Sequence, residues 1–321
     1  MSVQELSPAV ARPSSMTRGR MVYVILVVLA VAACVALSVL GYIQPVVLGV
    51  VQGLTEFMPV SSAAHLILMR WFFDWRSGMT DALTFDLALH MGTMVALLGY
   101  FWRDWVEILA SAPGMLRWGW RKLRGDRSYT PALGEQVLAG MIIATIPGIL
   151  FGVLLAPFVR YGVFRSPRLL AFTLTLGGLL LHIADSKRPE RLPLERISLR
   201  QSLLIGLAQS VALVPGISRL AATLTMSRML TVDRSAATRY SFLLSAPITL
   251  AAIVYNFDLL LNIPSGEMIL FAVGMAASAI VGALTIHALL DFVGRFGFSA
   301  FAVYRALLAI AIVIVYFLQN Y

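Results

Sequence analysis

Long apolar stretches alternate with short polar segments along most of this 321-residue chain. A helix that spans a membrane needs about 20 mainly apolar residues. The pattern predicts seven such helices, at residues 21–40, 84–102, 136–159, 169–184, 240–257, 268–290 and 298–318. The first 20 residues are polar, so we expect residues 1–20 to form a tail ahead of the first helix.

Two further apolar stretches, 43–75 and 202–230, do not have the pattern of a simple span. Proline, serine and small residues interrupt each of them in its middle. Each is too long for one span and too interrupted for two. Irregular backbone at membrane depth is tolerated only where protein or water covers it. We therefore expect two re-entrant helical hairpins, each of which enters the membrane and returns to the same side.

The composition agrees with this pattern. Apolar residues make up 59% of the chain and charged residues 13%, whereas soluble domains carry roughly 45–50% and about 25%. Such a composition excludes a soluble globular domain, and its hydrophobicity excludes a disordered chain. The predicted fold class is an all-α polytopic integral membrane protein.

The positions of the charges predict the orientation of the chain. Basic residues concentrate in the tail 1–20 and in two segments between spans, 117–127 and 187–200. Segments rich in Lys and Arg stay in the cytoplasm, so we expect all three there. The segment 258–267 has no Lys or Arg and is predicted to lie outside; three arginines within 160–168 oppose this scheme but are fewer. Because the net charge of +9 follows this membrane pattern, we expect no nucleic-acid partner.

A weak internal repeat relates the two broken stretches. Its copies begin near residues 43 and 200, and a shift of 157 residues aligns identical residues, among them Gly49 with Gly206, Gln52 with Gln209, Ser61 with Ser218 and Ala64 with Ala221. Three predicted spans separate the copies, and an odd number inverts the second copy relative to the first. Broken segments in two inverted halves are typical of a site near the membrane midplane. We expect the tips of the two hairpins to meet there.

The first hairpin gathers polar side chains inside an apolar stretch. Gln52 and Glu56 are four residues apart and therefore share one face of a helix. Ser61 or Ser62 is well placed to cap the helix that follows, and His65 comes within one turn of them. The hairpin thus offers an acid, an amide, two hydroxyls and an imidazole.

The second hairpin adds a positive charge. Pro215 and Gly216 break its helix, and Ser218 can cap the helix that restarts. Arg219 lies beside the break, where an arginine usually has an anionic partner because its insertion costs about 2.5–3.5 kcal/mol. Two helix N-termini and a guanidinium at one point form an anion site suited to phosphate.

Structural explanations exist for the same residues. Glu56 and Arg219 can form an ion pair that only locks the hairpins together, and Ser61 and Ser62 can be helix caps and nothing more. The G-x-x-x-G pattern at 49–53 is more typical of close helix packing than of catalysis.

Four residues outside the hairpins are also of interest. His90 lies well inside a predicted span, and a role in lining the site and a structural role are equally open. Arg305 lies within the last span and either extends to the interface or pairs with the core. His182 and His287 lie near helix ends without polar neighbours in the sequence, and we interpret both as structural.

The two hairpins resemble a known family. The sequences Q-G-L-T-E-F-M-P-V-S-S-A-A-H at 52–65 and P-G-I-S-R-L-A-A-T at 215–223 are similar to the two signatures of the undecaprenyl-diphosphate phosphatases, the bacterial bacitracin-resistance proteins. Other similar segments follow in the family's order, at 85–93, 146–147, 240–247 and 301–305. The resemblance covers about residues 42–321, which are predicted to form the phosphatase membrane domain, and the helix at 21–40 resembles an N-terminal addition.

The resemblance implies an enzyme of the bacterial inner membrane whose active site faces the outer, periplasmic side. It would hydrolyse undecaprenyl diphosphate to undecaprenyl phosphate and inorganic phosphate, which recycles the lipid carrier for peptidoglycan synthesis. Such an activity confers resistance to bacitracin, an antibiotic that sequesters the substrate. The implied partners are this lipid substrate and the membrane lipids, and a homodimer is left open.

The resemblance also implies roles for residues. It assigns a divalent cation, Mg²⁺ or Ca²⁺, to Gln52 and Glu56, and contacts with the substrate's phosphates to Ser61, Ser218, Arg219 and Thr223. The implied catalytic residues are Glu56, with Ser62 as nucleophile, His65 as acid–base residue and Arg219 as phosphate clamp. Whether Ser62 attacks or orients a water molecule is open.

Three residues depart from the family signatures. Ala63 replaces a Ser or Thr, and Leu220 and Ala221 replace a Ser-Gly pair. These departures favour two alternatives, a transporter or flippase for the polyprenyl-phosphate carrier and a catalytically impaired paralogue. The phosphatase remains our hypothesis because the acid, the hydroxyl, the imidazole and the arginine are all present.

Overall fold

The computed structural model describes residues 42–75, 82–126, 128–160, 164, 166–187 and 192–320. This part of the chain is helical, and its one β-bridge joins Leu192 to Val232. The predicted tail at 1–20 and the predicted helix at 21–40 lie outside the described residues.

Thirteen α-helices form the described part of the chain. They are α1 Ile43–Glu56, α2 Ser62–Phe72, α3 Ala82–Tyr100, α4 Trp102–Ala110, α5 Ala112–Leu123, α6 Leu133–Arg160, α7 Pro167–Lys187, α8 Leu199–Val211, α9 Arg219–Met229, α10 Arg234–Tyr255, α11 Phe257–Leu261, α12 Met268–Phe296 and α13 Ser299–Asn320.

Six helices are long and apolar enough to cross a membrane, namely α3, α6, α7, α10, α12 and α13. They correspond to six of the seven predicted spans, and the seventh is the helix outside the described residues. Several extend a few residues beyond the predicted ends, because helical hydrogen bonding continues into the polar residues that flank each apolar stretch.

The two broken stretches form pairs of short helices, as predicted. The first is divided between α1 and α2, and the second between α8 and α9. The Ser61 side chain accepts a hydrogen bond from the backbone N–H of Ala64, and Ser218 accepts one from Ala221. Of the two cap candidates in the first stretch, Ser61 is therefore the cap, because the helix begins at Ser62.

Backbone conformation repeats at the same interval as the sequence. Helices α2 and α9 begin and end 157 residues apart. Within the described residues, four non-glycine residues have a positive φ, and they form two pairs at this interval: Ser61 (75°) with Ser218 (71°), and Asp74 (51°) with Thr231 (63°). Most side chains avoid this region of φ, so the shared values indicate one backbone path used twice.

The tips of the two broken helices meet. The backbone N–H of Gly216 donates to the Ser61 hydroxyl at 3.1 Å. Arg305 is fully buried on α13 and donates to the carbonyls of Pro59 and Gly216, at 3.0 and 2.8 Å. It also donates to the Ile217 carbonyl at 3.1 Å. Arg305 thus pairs with the core and joins both tips.

Glycines allow α1 to pack closely on α12. A Cβ on Gly49 would lie 2.5 Å from the Gly274 carbonyl oxygen, and one on Gly53 would lie 2.8 Å from the Gly282 nitrogen. Distances this short exclude a side chain at either position. The G-x-x-x-G pattern at 49–53 therefore serves helix packing, as expected.

One segment differs from the prediction. The basic segment 117–127, expected to be a loop between two spans, begins inside the helix α5, which carries Arg117, Arg121 and Lys122; the helix α4 before it was not predicted. The loop interpretation was wrong because it rested on the absence of a 20-residue apolar stretch. Short amphipathic helices need no such stretch.

Candidate active site

A cavity of about 580 Å³ lies where the two broken helices meet α3, α6 and α10. Apolar side chains of α6 and α10 form much of its wall, including Ile149, Val153, Ala156, Ile248 and Ala252. Polar side chains gather at the helix breaks and on the facing helices: Glu56, Ser61, Ser62, Asp86, His90, Gln209, Ser218, Arg219 and Thr249. The cavity therefore combines an apolar wall with a polar end.

Glu56 is the centre of the polar end, at the last residue of α1. Its Oε2 accepts hydrogen bonds from the Ser62 hydroxyl at 2.5 Å and from Gln52 Nε2 at 3.1 Å. The Nε2 atom of His90 lies 3.5 Å from the same oxygen, and Oε1 forms an ion pair with Arg219. One carboxylate thus holds a hydroxyl, an amide, an imidazole and a guanidinium.

Arg219 is held from three sides at the start of α9. Besides its ion pair with Glu56, it donates through Nη1 to the Thr249 hydroxyl at 2.5 Å and to the Ser245 carbonyl at 3.3 Å. Its side chain is 22% exposed and lines the cavity. The ion pair expected from the structural explanation is present, and the cavity wall contains it. The same two residues therefore join the two broken helices and line the cavity.

His65 does not join this cluster. Its Nδ1 lies 2.7 Å from the Ser61 carbonyl oxygen and its Nε2 lies 2.7 Å from the Tyr304 hydroxyl, and the two aromatic rings are stacked. These contacts hold the imidazole against α13, and His65 is not among the residues that line the cavity. The imidazole beside Glu56 is His90, whose Nδ1 bonds to the Asp86 carbonyl.

The remaining predicted contacts divide between the cavity and the helix interior. Ser61 and Ser218 line the cavity while they cap α2 and α9. The N-termini of these two helices therefore lie side by side at the polar end, where backbone N–H groups favour an anion. Thr223 is buried, and its hydroxyl bonds to the carbonyls of Arg219 and Leu220 within α9. It is not among the residues that line the cavity.

Thr249 and Gln209 are among the polar lining residues that were not predicted. Thr249 lies on α10 and had no motif to mark it. Gln209 lines the cavity from α8, and its position in the repeat, opposite Gln52, was a usable signal. The Gln209 side chain is 3% exposed, and both of its amide atoms lack a hydrogen-bond partner among the described residues.

Of the two predicted ligands of a divalent cation, Glu56 and Gln52, only Glu56 is among the residues that line the cavity. No group of three or more His, Cys, Asp or Glu side chains with metal-binding geometry occurs in the described ranges. Gln52 nevertheless places a buried amide oxygen, without a partner among those residues, on the side chain that bonds to Glu56. Mg²⁺ commonly uses one or two carboxylates together with water and substrate phosphate, and Ca²⁺ also takes amide oxygens.

The six long apolar helices and the internal polar cavity define a multi-pass integral membrane protein with a buried acid–guanidinium site. The profile of the family described as Bacitracin resistance protein BacA matches residues 45–311. This match covers most of the chain, including both broken helices. The chain belongs to the BacA family.

Curated relatives agree with the family match. An undecaprenyl-diphosphatase of Gemmatimonas aurantiaca is 42% identical over 269 residues, which cover 84% of this chain and 96% of that protein. An undecaprenyl-diphosphatase of Moorella thermoacetica is 40% identical, with 87% and 99% covered. One of Caldicellulosiruptor bescii is 40% identical, with 86% and 98% covered. The match extends over nearly the whole length of each relative.

Proposed function

We propose that this protein is a membrane phosphatase that hydrolyses undecaprenyl diphosphate to undecaprenyl phosphate and inorganic phosphate. The observation that carries the proposal is the contact of the Ser62 hydroxyl with Glu56, which is paired with Arg219 in the wall of an apolar cavity. A hydroxyl, a base and a guanidinium suit phosphoryl transfer, and the apolar wall suits a prenyl chain. The relatives named undecaprenyl-diphosphatase support the same substrate.

In the proposed reaction, the Ser62 oxygen attacks the terminal phosphorus while its proton passes to Glu56. The bond from phosphorus to the bridging oxygen breaks, and that oxygen leaves as part of prenyl monophosphate. A water molecule then hydrolyses the phosphoserine. The water oxygen bonds to phosphorus as the bond from phosphorus to the serine oxygen breaks, Glu56 returns its proton to the serine oxygen, and both protons of the water leave with inorganic phosphate. The 2.5 Å contact between Ser62 and Glu56 is the support for this pairing.

Charge on the diphosphate is balanced by Arg219 and by the N-termini of α2 and α9. Phosphoryl transfer depends mainly on positioning and charge stabilisation. When the substrate binds, Arg219 exchanges part of its contact with Glu56 for a phosphate oxygen, while Thr249 and the Ser245 carbonyl keep the guanidinium in place. Glu56 keeps the Oε2 contact with the Ser62 hydroxyl, through which it accepts the Ser62 proton.

We assign the acid–base imidazole to His90 instead of His65. The support is distance: His90 Nε2 is 3.5 Å from Glu56, whereas both ring nitrogens of His65 contact other groups. His90 takes up the proton that Glu56 has accepted and passes it back to Glu56 before the serine oxygen is reprotonated. His65 in this proposal positions the Ser61 backbone and α13.

The proposed cation site consists of Gln52 and Glu56. A divalent cation there, Mg²⁺ or Ca²⁺, would neutralise charge on the diphosphate oxygens when it is bound. Gln52 would offer its amide oxygen, and it also orients the Glu56 carboxylate through its Nε2.

We infer that the protein lies in the bacterial inner membrane with its cavity open to the periplasmic side. Three residues that line the cavity show which ends of the helices it faces. Asp86 lies near the start of α3, Ala156 lies near the end of α6, and Asn256 follows the end of α10. The basic helix α5 follows the other end of α3. Because basic segments stay in the cytoplasm, the cavity faces outward. In this arrangement, each broken helix returns to the side of the membrane from which it enters.

The decisive experiment measures phosphate release from undecaprenyl diphosphate by the purified protein in detergent. We expect release that EDTA stops and added Mg²⁺ or Ca²⁺ restores, and that Ser62→Ala lacks. Release that continues unchanged in EDTA would contradict the cation assignment alone. No release by the folded wild-type protein would contradict the phosphatase, and carrier transport, for which the repeated helices are suited, would take its place.

A further inference from the structure

The helices α4 and α5 carry the most prominent amphipathic surface in the described part of the chain. On α5, Leu116, Trp120 and Leu123 are 67%, 59% and 85% exposed. These residues lie four and three positions apart, so they form one stripe along the helix. A soluble surface rarely presents such a stripe without a partner.

A basic stripe runs directly beside this apolar stripe. Arg117, Arg121 and Arg124 have the same spacing, one residue further along, and all three are exposed. Lys122 adds a fourth positive charge, and residues 112–124 contain no acidic residue. Such a helix, apolar on one face and rich in Lys and Arg beside it, is typical of a helix that lies in the membrane interface.

Aromatic contacts arrange the basic groups at the edge of the apolar stripe. The Arg124 guanidinium lies over the Trp120 ring at 4.7 Å, and the Lys122 ammonium lies over the Trp118 ring at 5.5 Å. Tryptophan with an adjacent cation is typical of the headgroup level of a bilayer. The charges are thereby held where lipid phosphates would be.

The preceding helix α4 continues the apolar surface. Trp102, Val106 and Leu109 are 56%, 59% and 62% exposed and form a second stripe at helical spacing. The opposite side of α4 packs on the protein through Trp105 and the buried Ile108. Both helices are therefore fixed to the protein on one side and uncovered on the other, directly after the membrane-spanning helix α3.

The packing of α5 on α6 is equally definite. Gly114 is buried, and a side chain there would overlap the Glu135 carboxylate at the start of α6. Arg121 contacts Asp126 at 3.9 Å and the Tyr129 ring, and Arg124, the residue after α5, lies over the Trp120 ring. The helix is thus anchored where it meets α6, and its basic and apolar stripes remain outward.

We propose that α4 and α5 form a lipid-binding surface that lies in the cytoplasmic leaflet and takes the phosphate headgroups of anionic phospholipids. The apolar stripes enter the boundary between headgroups and acyl chains, and the three basic residues of α5, together with Arg124 directly after it, contact the lipid phosphates. Charge complementarity favours anionic phospholipids over neutral lipids, because a lipid without net charge would not neutralise the basic stripe. The surface depends only on membrane insertion, so it is independent of the proposed hydrolysis.

The test places the full-length protein in nanodiscs of phosphatidylcholine with increasing phosphatidylglycerol and follows its melting temperature. We expect the melting temperature of the wild type to rise with phosphatidylglycerol. The fourfold variant is Arg117→Gln/Arg121→Gln/Lys122→Gln/Arg124→Gln. For this variant, the phosphatidylglycerol fraction that gives half of the rise in melting temperature should increase at least tenfold, or the melting temperature should not rise at all. Each basic residue near an anionic surface changes association by roughly fivefold.

Matched controls separate charge from folding. Arg117→Lys/Arg121→Lys/Arg124→Lys keeps the charges and should keep most of the wild-type response. Arg168→Gln, at the start of α7, removes one basic residue from another part of the protein and should leave the response unchanged. Both glutamine variants should melt as the wild type does in pure phosphatidylcholine, which shows that they are folded.

Two further arms identify the source of the phosphate. Inorganic phosphate added to phosphatidylcholine nanodiscs should not raise the melting temperature, and 1 M NaCl should suppress the phosphatidylglycerol effect, because it reduces the screening length to about 3 Å. The proposal would be overturned by a wild-type protein indifferent to phosphatidylglycerol, by a fourfold variant with the full response, or by an equal response to free phosphate.

Discussion

The two broken helices share a backbone but not a chemistry. Ser61 and Ser218 have the same strained φ and cap equivalent helices. One residue further, however, Ser62 in the first copy corresponds to Arg219 in the second, 157 positions later. The acid of the first copy, Glu56, corresponds to Leu213 in the second. The scaffold is therefore repeated, and the hydroxyl, acid and guanidinium meet only because the copies differ.

The glutamines make the same point. Gln52 and Gln209 occupy equivalent positions, yet Gln52 bonds to Glu56 while the amide of Gln209 has no partner among the described residues. A repeated residue thus acquires a partner only where the neighbouring acid exists. The proposed function therefore depends on the positions at which the two copies diverge.

The largest expected effect on turnover follows from removal of the Glu56 carboxylate, which has no counterpart in the second copy of the repeat. Glu56→Gln should lower kcat/KM for undecaprenyl diphosphate by at least about 1,000-fold, because the base for Ser62 and the partner of Arg219 are both lost. The measurement is phosphate release by purified protein, with Ser210→Ala as control, since that hydroxyl bonds within its own helix. A variant within tenfold of the wild type would contradict the central role of Glu56.

The next prediction distinguishes the roles of Ser62 and Arg219, which occupy equivalent positions in the two copies. Arg219→Lys keeps the charge but cannot hold Glu56, Thr249 and a phosphate together, so we expect a loss of about 100-fold in kcat/KM. Ser62→Ala should abolish turnover yet still bind a non-hydrolysable prenyl methylenediphosphonate. Weaker binding in Arg219→Lys with normal binding in Ser62→Ala would support the division into clamp and nucleophile. Residual turnover in Ser62→Ala above a few per cent would indicate that water attacks directly.

The two histidines provide a sharper comparison. His90→Ala should lower kcat by about 100-fold or more and leave the melting temperature nearly unchanged. His65→Ala should do the reverse, since it removes contacts with Ser61 and Tyr304 that hold α2 against α13; we expect about 1–3 kcal/mol of lost stability. Kinetics and thermal unfolding of both variants are the measurement. A large kinetic effect of His65→Ala at unchanged stability would restore its predicted acid–base role.

A smaller effect is expected from the glutamines. Gln209→Met replaces a buried amide that lacks a partner among the described residues by a side chain of similar shape, so it should raise the melting temperature. Gln52→Met should not, because it removes the hydrogen bond to Glu56. Unfolding of both variants in one detergent checks this. Destabilisation by Gln209→Met would show that its amide has a partner in the folded protein.

The smallest effect concerns the second pair of positive φ values. Thr231 is β-branched and has φ 63°, a conformation that glycine adopts without strain. Thr231→Gly should therefore stabilise the protein by up to about 1 kcal/mol, and Asp74→Gly by less, since aspartate tolerates this region better. Destabilisation by Thr231→Gly would mean that the side chain contributes more than its strain costs.

The sequence by itself determined the six described spans, the two breaks and the repeat. Long apolar runs and proline, glycine or serine interruptions are local features, so their consequences are visible without a fold. It also drew attention to Glu56 and Arg219, because an acid or an arginine inside a membrane stretch is costly and needs a reason, whereas Ser62 was singled out by the resemblance to the family. It missed α4 and α5, whose short amphipathic pattern resembles a basic loop.

Only the tertiary structure decided which of these side chains meet. The sequence placed His65 beside Ser62, but the ring packs against Tyr304, and His90 arrives at Glu56 from another helix. The sequence left the role of Arg305 open, and its hydrogen bonds to carbonyls on both tips decide that it pairs with the core. The physical reason is that side-chain contacts across a bundle depend on how helices pack and rotate relative to one another, and no local pattern contains that information.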